Sequence, residues 1–108
     1  MFSHLASLPG RTLFPGVNGH YAHEARFTIG HIELAAGAVV PVHQHPHDQI
    51  SYVIEGELEF SCGSEIRVMR RGDCLIITGG IPHGCRAITG CEVIDTFTPA
   101  RDDYRLQT

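Results

Sequence analysis

No stretch of this chain repeats apolar residues at i, i+3, i+4 and i+7 over three helical turns, and that absence constrains the fold more than any other feature. Glycine (12 residues) and proline (6) instead recur at short intervals, so the chain is cut into pieces too short for ordinary helices. The pieces read as strands. Arg26 to Leu34 (RFTIGHIEL) forms one; Ala35 to Ala38 (AAGA) breaks it, and Val39 to His45 resumes it. Gln49 to Ile54 runs into a hairpin turn at Glu55-Gly56-Glu57, and Leu58-Glu59-Phe60 alternates as the return strand. After a turn at Ser61-Cys62-Gly63-Ser64, Glu65 to Met69 makes the next strand. Arg71-Gly72-Asp73 then turns into the apolar run Cys74 to Ile77, read as a buried strand. Gly79-Gly80-Ile81-Pro82 is a tight loop, and Cys91 to Thr98 is the last strand, ending at Pro99. The expectation is a single all-β sandwich or barrel over residues 26–100. Residues 1–25 form an irregular segment lying outside it or across a partner subunit, and 101–108 form a C-terminal tail.

With 108 residues the chain has room for one core. Apolar residues are 43% and charged residues 19%, the balance of a globular domain. A formal charge of −4 argues against nucleic acid as a partner. No apolar run is long enough to span a bilayer, and MFSHLASLPGR at the start has neither the basic nor the apolar region of a signal peptide. A soluble, cytoplasmic protein without a membrane partner is expected. The four cysteines, Cys62, Cys74, Cys85 and Cys91, include no C-x-x-C pair. They are expected to be small buried residues rather than disulfides, although Cys85, two residues beyond His83, can share a cavity with it.

Chemistry concentrates in His43 to Gln49, HQHPHDQ. His43 and His45 are two apart, so on a strand both side chains leave the same face. His83 sits in the Gly79-Gly80-Ile81-Pro82-His83 loop after the Cys74 to Ile77 strand. Three imidazoles from two neighbouring strands form one face of a coordination sphere suited to a divalent transition metal. His47 follows a proline that turns it aside, toward the rim of such a site. On the last strand Val93, Asp95 and Phe97 share one face. If that face is the interior, a carboxylate and an aromatic ring enter the same cavity, and Arg101 can fold over its mouth. His31 and Arg26 can line an opposite wall, but the pattern does not fix their face.

Two motifs carry a family resemblance. Gly37, His43, His45, Gln49 and Gly56 resemble the first cupin motif, with glutamine at the position of its glutamate. Gly72, Gly80 and His83 resemble the second, with Thr78 for its proline and Ala87 for its asparagine. The resemblance implies a single-domain cupin jelly-roll β-barrel holding a metal through His43, His45, Gln49 and His83. Gln49 is then a neutral oxygen ligand that leaves the ion its full charge, which suits a Lewis acid better than oxygen chemistry. The C-terminal stretch DTFTPARDDY, with HPHDQISYVIEGELEF, is similar to small cupins that act on unsaturated uronates from pectin and alginate breakdown. That similarity implies a metal-dependent isomerase- or lyase-type enzyme promoting ring opening and ketonisation of 4,5-unsaturated monouronates. Asp95 would transfer a proton, Arg101 would bind the sugar-acid carboxylate, and Phe97 would form a wall. The metal could be Ni, Zn, Mn, Fe or Co. Two alternatives remain open at this point: a metal-dependent cupin dioxygenase, and a non-catalytic sugar-binding module. A homodimer is expected, with the N-terminal segment covering a partner's edge strand.

Overall fold

The computed structural model describes residues 1–105. Ten strands make up nearly all of it: β1 (Gly10–Phe14), β2 (Val17–His23), β3 (Thr28–Leu34), β4 (Val39–His43), β5 (Asp48–Glu55), β6 (Leu58–Cys62), β7 (Glu65–Met69), β8 (Cys74–Ile77), β9 (His83–Ala87) and β10 (Cys91–Thr98). The only helices among the described residues are two short 3₁₀ turns, at Leu5–Ser7 and Asp102–Tyr104. No helix is long and apolar enough to cross a membrane. Two antiparallel sheets face each other, one ordered β1-β2-β3-β10-β5-β8 and the other β4-β9-β6-β7. This is the all-β jelly roll.

Alternation fixes which side chains face inward. In β3, Thr28, Gly30, Ile32 and Leu34 are buried, and in β5, Gln49, Ser51 and Val53. Of these, Ile32, Leu34 and Val53 join Val17, Leu58, Phe60, Ile77 and Val93 in one core between the sheets. Burying an aliphatic side chain contributes about 1.5–3 kcal/mol each, so Val17, Val53, Leu58 and Ile77, essentially without exposed surface, anchor the sandwich.

Three readings of the sequence need correction. Residues 1–25 are not an irregular segment: Gly10–Phe14 and Val17–His23 are strands of the six-stranded sheet, and β2 pairs with β3 along its whole length. The alternation was there, with Val17, Gly19 and Tyr21 inward, but a glycine in the middle hid it. Cys74–Ile77 is not a buried strand. It is an edge, paired only with β5, so Cys74 and Ile76 lie exposed on its outer side. His83 is not a loop residue but the first residue of β9, a strand whose HGCRA sequence has little β-propensity. The tail at 101–108 is ordered as far as it is described: Arg101 is buried and Asp102–Tyr104 make a helical turn, while 106–108 lie outside the described residues.

Candidate metal centre

His43 closes β4 and pairs directly with His83, which opens β9. Strand structure stops at His43, so His45 sits in the connection to β5 rather than on a strand. A tight approach holds that connection in place. The Gly80 amide donates to the His45 carbonyl (2.8 Å) and the Gly79 amide to Asp48 Oδ1 (2.8 Å). A Cβ on Gly79 would lie 2.2 Å from the Pro46 carbonyl oxygen, so only glycine lets the two loops meet. One nitrogen from each of His43, His45 and His83 lies within 4.8 Å of the other two.

The ring nitrogens show which atoms face a ligand. Nδ1 of His43 lies 2.8 Å from the Pro41 carbonyl, Nδ1 of His45 3.0 Å from that of His47, and Nδ1 of His83 2.8 Å from that of Ile81. A carbonyl only accepts, so each Nδ1 carries the proton and each Nε2 presents a lone pair. His83 Nε2 is buried with no partner at all. His45 Nε2 lies 2.9 Å from Gln49 Oε1, two acceptors face to face with no proton to share. Left alone such groups cost about 1–3 kcal/mol each. A divalent cation answers all of them, so the residues fit a metal. Burial lowers the pKa of His45 and His83, keeping both rings in the neutral form that ligates.

Gln49 enters from the other sheet, on β5 opposite Phe97 of β10. The same register sets Ser51 beside Asp95, and Asp95 beside Gly30 on its other flank. Gln49 Nε2 donates to Ser51 Oγ (2.9 Å), and Ser51 Oγ donates to Asp95 Oδ1 (2.6 Å). Asp95 lines the cavity between the sheets. Desolvation by the surrounding protein raises its carboxyl to about 6, against the Ser51 and Gln49 groups and the Arg101 charge, which lower it. Both protonation states are therefore within reach near neutral pH, as a group that gives and takes a proton requires.

Arg101, Phe97, Tyr21, Phe60 and Cys85 line the same cavity. Arg101 packs its guanidinium 3.8 Å from the centre of the Tyr104 ring and 4.8 Å from that of Phe97. Asp103 holds its Nε (3.0 Å) and Nη2 (2.8 Å). Arg11 of β1 donates to the Asp103 carbonyl (2.8 Å) and packs on the far side of Tyr104, pinning the turn over the site.

The structure thus brings together His43, His45, Gln49, His83, Asp95, Phe97 and Arg101. It leaves out others. His47 stands beside His45, its ring centre 5.4 Å away, and contributes its backbone carbonyl. Cys85 lines the cavity outside the three-histidine cluster, and burial pushes its thiol up to about 12, so it stays protonated packing. Cys62 is half-buried, Cys91 is buried and Cys74 is exposed; all four cysteines are free, and the expectation of burial fails at Cys74 because it faces outward on an edge strand. His31 alternates with buried Gly30 and Ile32, so it faces away from the core with Glu33, and Arg26 is an exposed partner of Glu24. Tyr21 and Ser51 escaped the sequence reading. Tyr21 Oη is buried in the cavity without a partner, its ring fitted over Gly19 and Gly30, where a Cβ would lie 2.4 Å and 2.5 Å from its atoms. Ser51 was discoverable by counting two residues on from Gln49.

Comparison with known proteins agrees with this architecture. A crystal structure of an RmlC-like cupin from Shewanella frigidimarina superposes with a TM-score of 0.90 at 31% identity, covering 96% of this chain and 95% of that one. KdgF from Halomonas sp. superposes at 0.88 with 32% identity, covering 95% and 96%. The tetracenomycin polyketide synthase protein TcmJ of Streptomyces glaucescens is 41% identical over 56 residues, 51% of this chain but only 38% of its own length. The cupin domain model matches residues 30–97, which run from the middle of β3 to the Phe97 wall and take in all four candidate ligands. The chain belongs to the cupin family.

Proposed function

We propose that this protein is a metal-dependent enzyme of the isomerase or lyase type that opens and ketonises 4,5-unsaturated monouronates derived from pectin or alginate. The observation that carries the reading is one line of close contacts: Gln49 sets its Oε1 against His45 at the three-histidine cluster and is hydrogen-bonded through Ser51 to Asp95, a carboxylate lining the same cavity as Arg101. The likeness to KdgF over nearly the whole chain supports it, as does the resemblance of DTFTPARDDY to the uronate-converting cupins.

A bound divalent ion (Ni, Zn, Mn, Fe or Co) would supply a Lewis acid for the sugar oxygens. The chain's own residues do the rest. Arg101 takes the substrate carboxylate, giving a protein of charge −4 a local cation for an acidic sugar. Phe97 and Tyr104 hold that guanidinium flat and exclude water from its faces. Tyr21 Oη, unpartnered in the cavity, donates to a sugar oxygen. Asp95 accepts the proton of the C1 hydroxyl as the bond between C1 and the ring oxygen breaks, leaving an aldehyde at C1 and an enolate at C5, and gives that proton to C4 as the enolate becomes a ketone. One proton moves from oxygen to carbon and no electron is gained or lost. The free cysteines suit a reducing, cytoplasmic compartment.

The test is a rate. Unsaturated galacturonate and mannuronate are made with lyases, and loss of the conjugated ultraviolet absorbance is followed with native, metal-stripped and reloaded protein. Acceleration that stripping removes and reloading restores is expected. No acceleration on either sugar by protein of confirmed metal content overturns the reading. We also propose a homodimer. The exposed Ile50, Tyr52 and Ile76 on the outer side of the six-stranded sheet support it, and the N-terminal segment supplies β1, the opposite edge of that sheet.

A further inference from the structure

We propose that Ser51 is a positioning residue that fixes which end of the Gln49 amide faces the three histidines; the inference rests on the metal reading of that site. Ser51 has no exposed surface and touches no solvent, so its hydroxyl must find its partners inside the protein. It has two. Gln49 Nε2 lies 2.9 Å away and Asp95 Oδ1 2.6 Å away. A hydroxyl has one proton to donate. With Asp95 ionised, the short contact with its carboxylate commits that proton to Asp95, and the Ser51 oxygen is then an acceptor on its other side.

An acceptor beside an amide selects the NH₂ end. Gln49 Nε2 turns to Ser51, and Oε1 is left pointing at His45 Nε2, 2.9 Å off, in the direction of the three imidazole lone pairs. Turned end for end, the amide would set its oxygen against the Ser51 oxygen, which has no second proton to offer. It would also present N–H groups, which cannot ligate a cation. The geometry therefore makes a neutral amide behave as a dedicated oxygen ligand, and the device that does so is not itself a ligand. A carboxylate in the same place would have needed no such device, because both of its ends accept. Register supplies the arrangement: Gln49 and Ser51 lie two apart on the inward face of β5, and Ser51 pairs across to Asp95 on β10.

The same chain of bonds fixes the Asp95 side chain. Ser51 holds Oδ1, which leaves Oδ2 as the oxygen free to meet a ligand in the cavity. A single buried hydroxyl thus aims both a ligating oxygen and a proton-carrying one.

The experiment loads the full-length protein with cobalt(II) and measures its affinity by competition titration and its visible d–d spectrum. Wild type, Ser51→Ala and Ser51→Thr are compared, with thermal midpoints alongside. Ser51→Ala removes the acceptor at 2.9 Å and leaves the amide only the Asp95 carboxylate behind it, so its preference for one end weakens. Cobalt affinity is expected to fall about 10- to 100-fold with a changed d–d spectrum, and Ser51→Thr, which keeps the hydroxyl, restores both. Ser51→Ala with wild-type affinity and spectrum overturns the proposal. So does Ser51→Thr behaving as Ser51→Ala does while melting at the wild-type temperature. Wild-type protein that takes up no cobalt overturns the metal reading and this inference with it. Wild-type protein that binds cobalt but turns over no uronate overturns only the substrate reading.

Discussion

In the proposed reaction Asp95 carries the proton, a role that can be tested apart from metal binding. It contacts Ser51 and sits behind Gln49, with no place among the three imidazoles. Asp95→Asn keeps the shape of the site and removes the proton carrier. Turnover of the unsaturated uronate is expected to fall about 10²- to 10⁴-fold with the metal still bound at one ion per chain; undiminished turnover at full metal content would refute proton transfer by this group. The cysteines give a second test at this scale. Burial holds the Cys85 thiol near 12, so its thiolate forms only in strong alkali, whereas Cys74 lies exposed on an edge strand. Iodoacetamide with peptide mapping should label Cys74 first and leave Cys85 unmodified up to about pH 9. Rapid labelling of Cys85 at pH 7 would show that the cavity is open to solvent. The three-histidine cluster was legible in the sequence because histidines at fixed spacing are rare enough to stand out. Tyr21 was not, because a tyrosine in a strand looks like any other strand residue, and Ser51 offered only its even spacing from Gln49 until the register set Asp95 opposite it.

Among the elements, the two loops at the mouth of the barrel matter more than any strand. The His45 connection and the Thr78–Pro82 loop are tied by the Gly80 and Gly79 amides. Gly79→Ala would drive a methyl group into the Pro46 carbonyl, 2.2 Å away, and push His45 off the metal axis. A loss of about 1–3 kcal/mol in stability and a weaker metal affinity are expected. Gly90→Ala, where the nearest atom is 3.9 Å from the added carbon, should leave both unchanged. Denaturant titration and metal competition read the two variants, and equal behaviour would contradict the account. Strand prediction succeeded where alternation was strong, as in Glu65–Met69 and Cys91–Thr98, whose limits match the structure. It failed at β1, β2 and β9, where glycines, short length and small side chains leave too little apolar contrast to read a period of two. It also misjudged β8, since an apolar run looks the same in a core strand and on a sticky edge.

At the scale of the whole molecule, the apolar outer side of β5 and β8 asks for cover. Ile50 and Ile76 are direct cross-strand neighbours, 47% and 71% exposed, and Tyr52 continues the patch. Edge strands with exposed apolar residues invite pairing with another chain. Sedimentation equilibrium should therefore give twice the mass of one chain for the wild type and a single chain for Ile76→Glu; a monomeric wild type would contradict the proposed dimer. The barrel itself was visible from the motif spacing. Its closure was not, because the strand that flanks β3, and the Arg11 contact that pins the C-terminal turn over the site, both come from residues that carry no motif.

All of this depends on three imidazoles presenting Nε2 to one ion. Long-range ¹H–¹⁵N correlation of the histidine rings, recorded before and after one equivalent of zinc, tests it directly. His43, His45 and His83 should each show a protonated Nδ1 throughout, and their three Nε2 resonances should move together on zinc addition while that of His31 stays in place. Coordination through any Nδ1, or fewer than three of these rings responding, would contradict the centre described here.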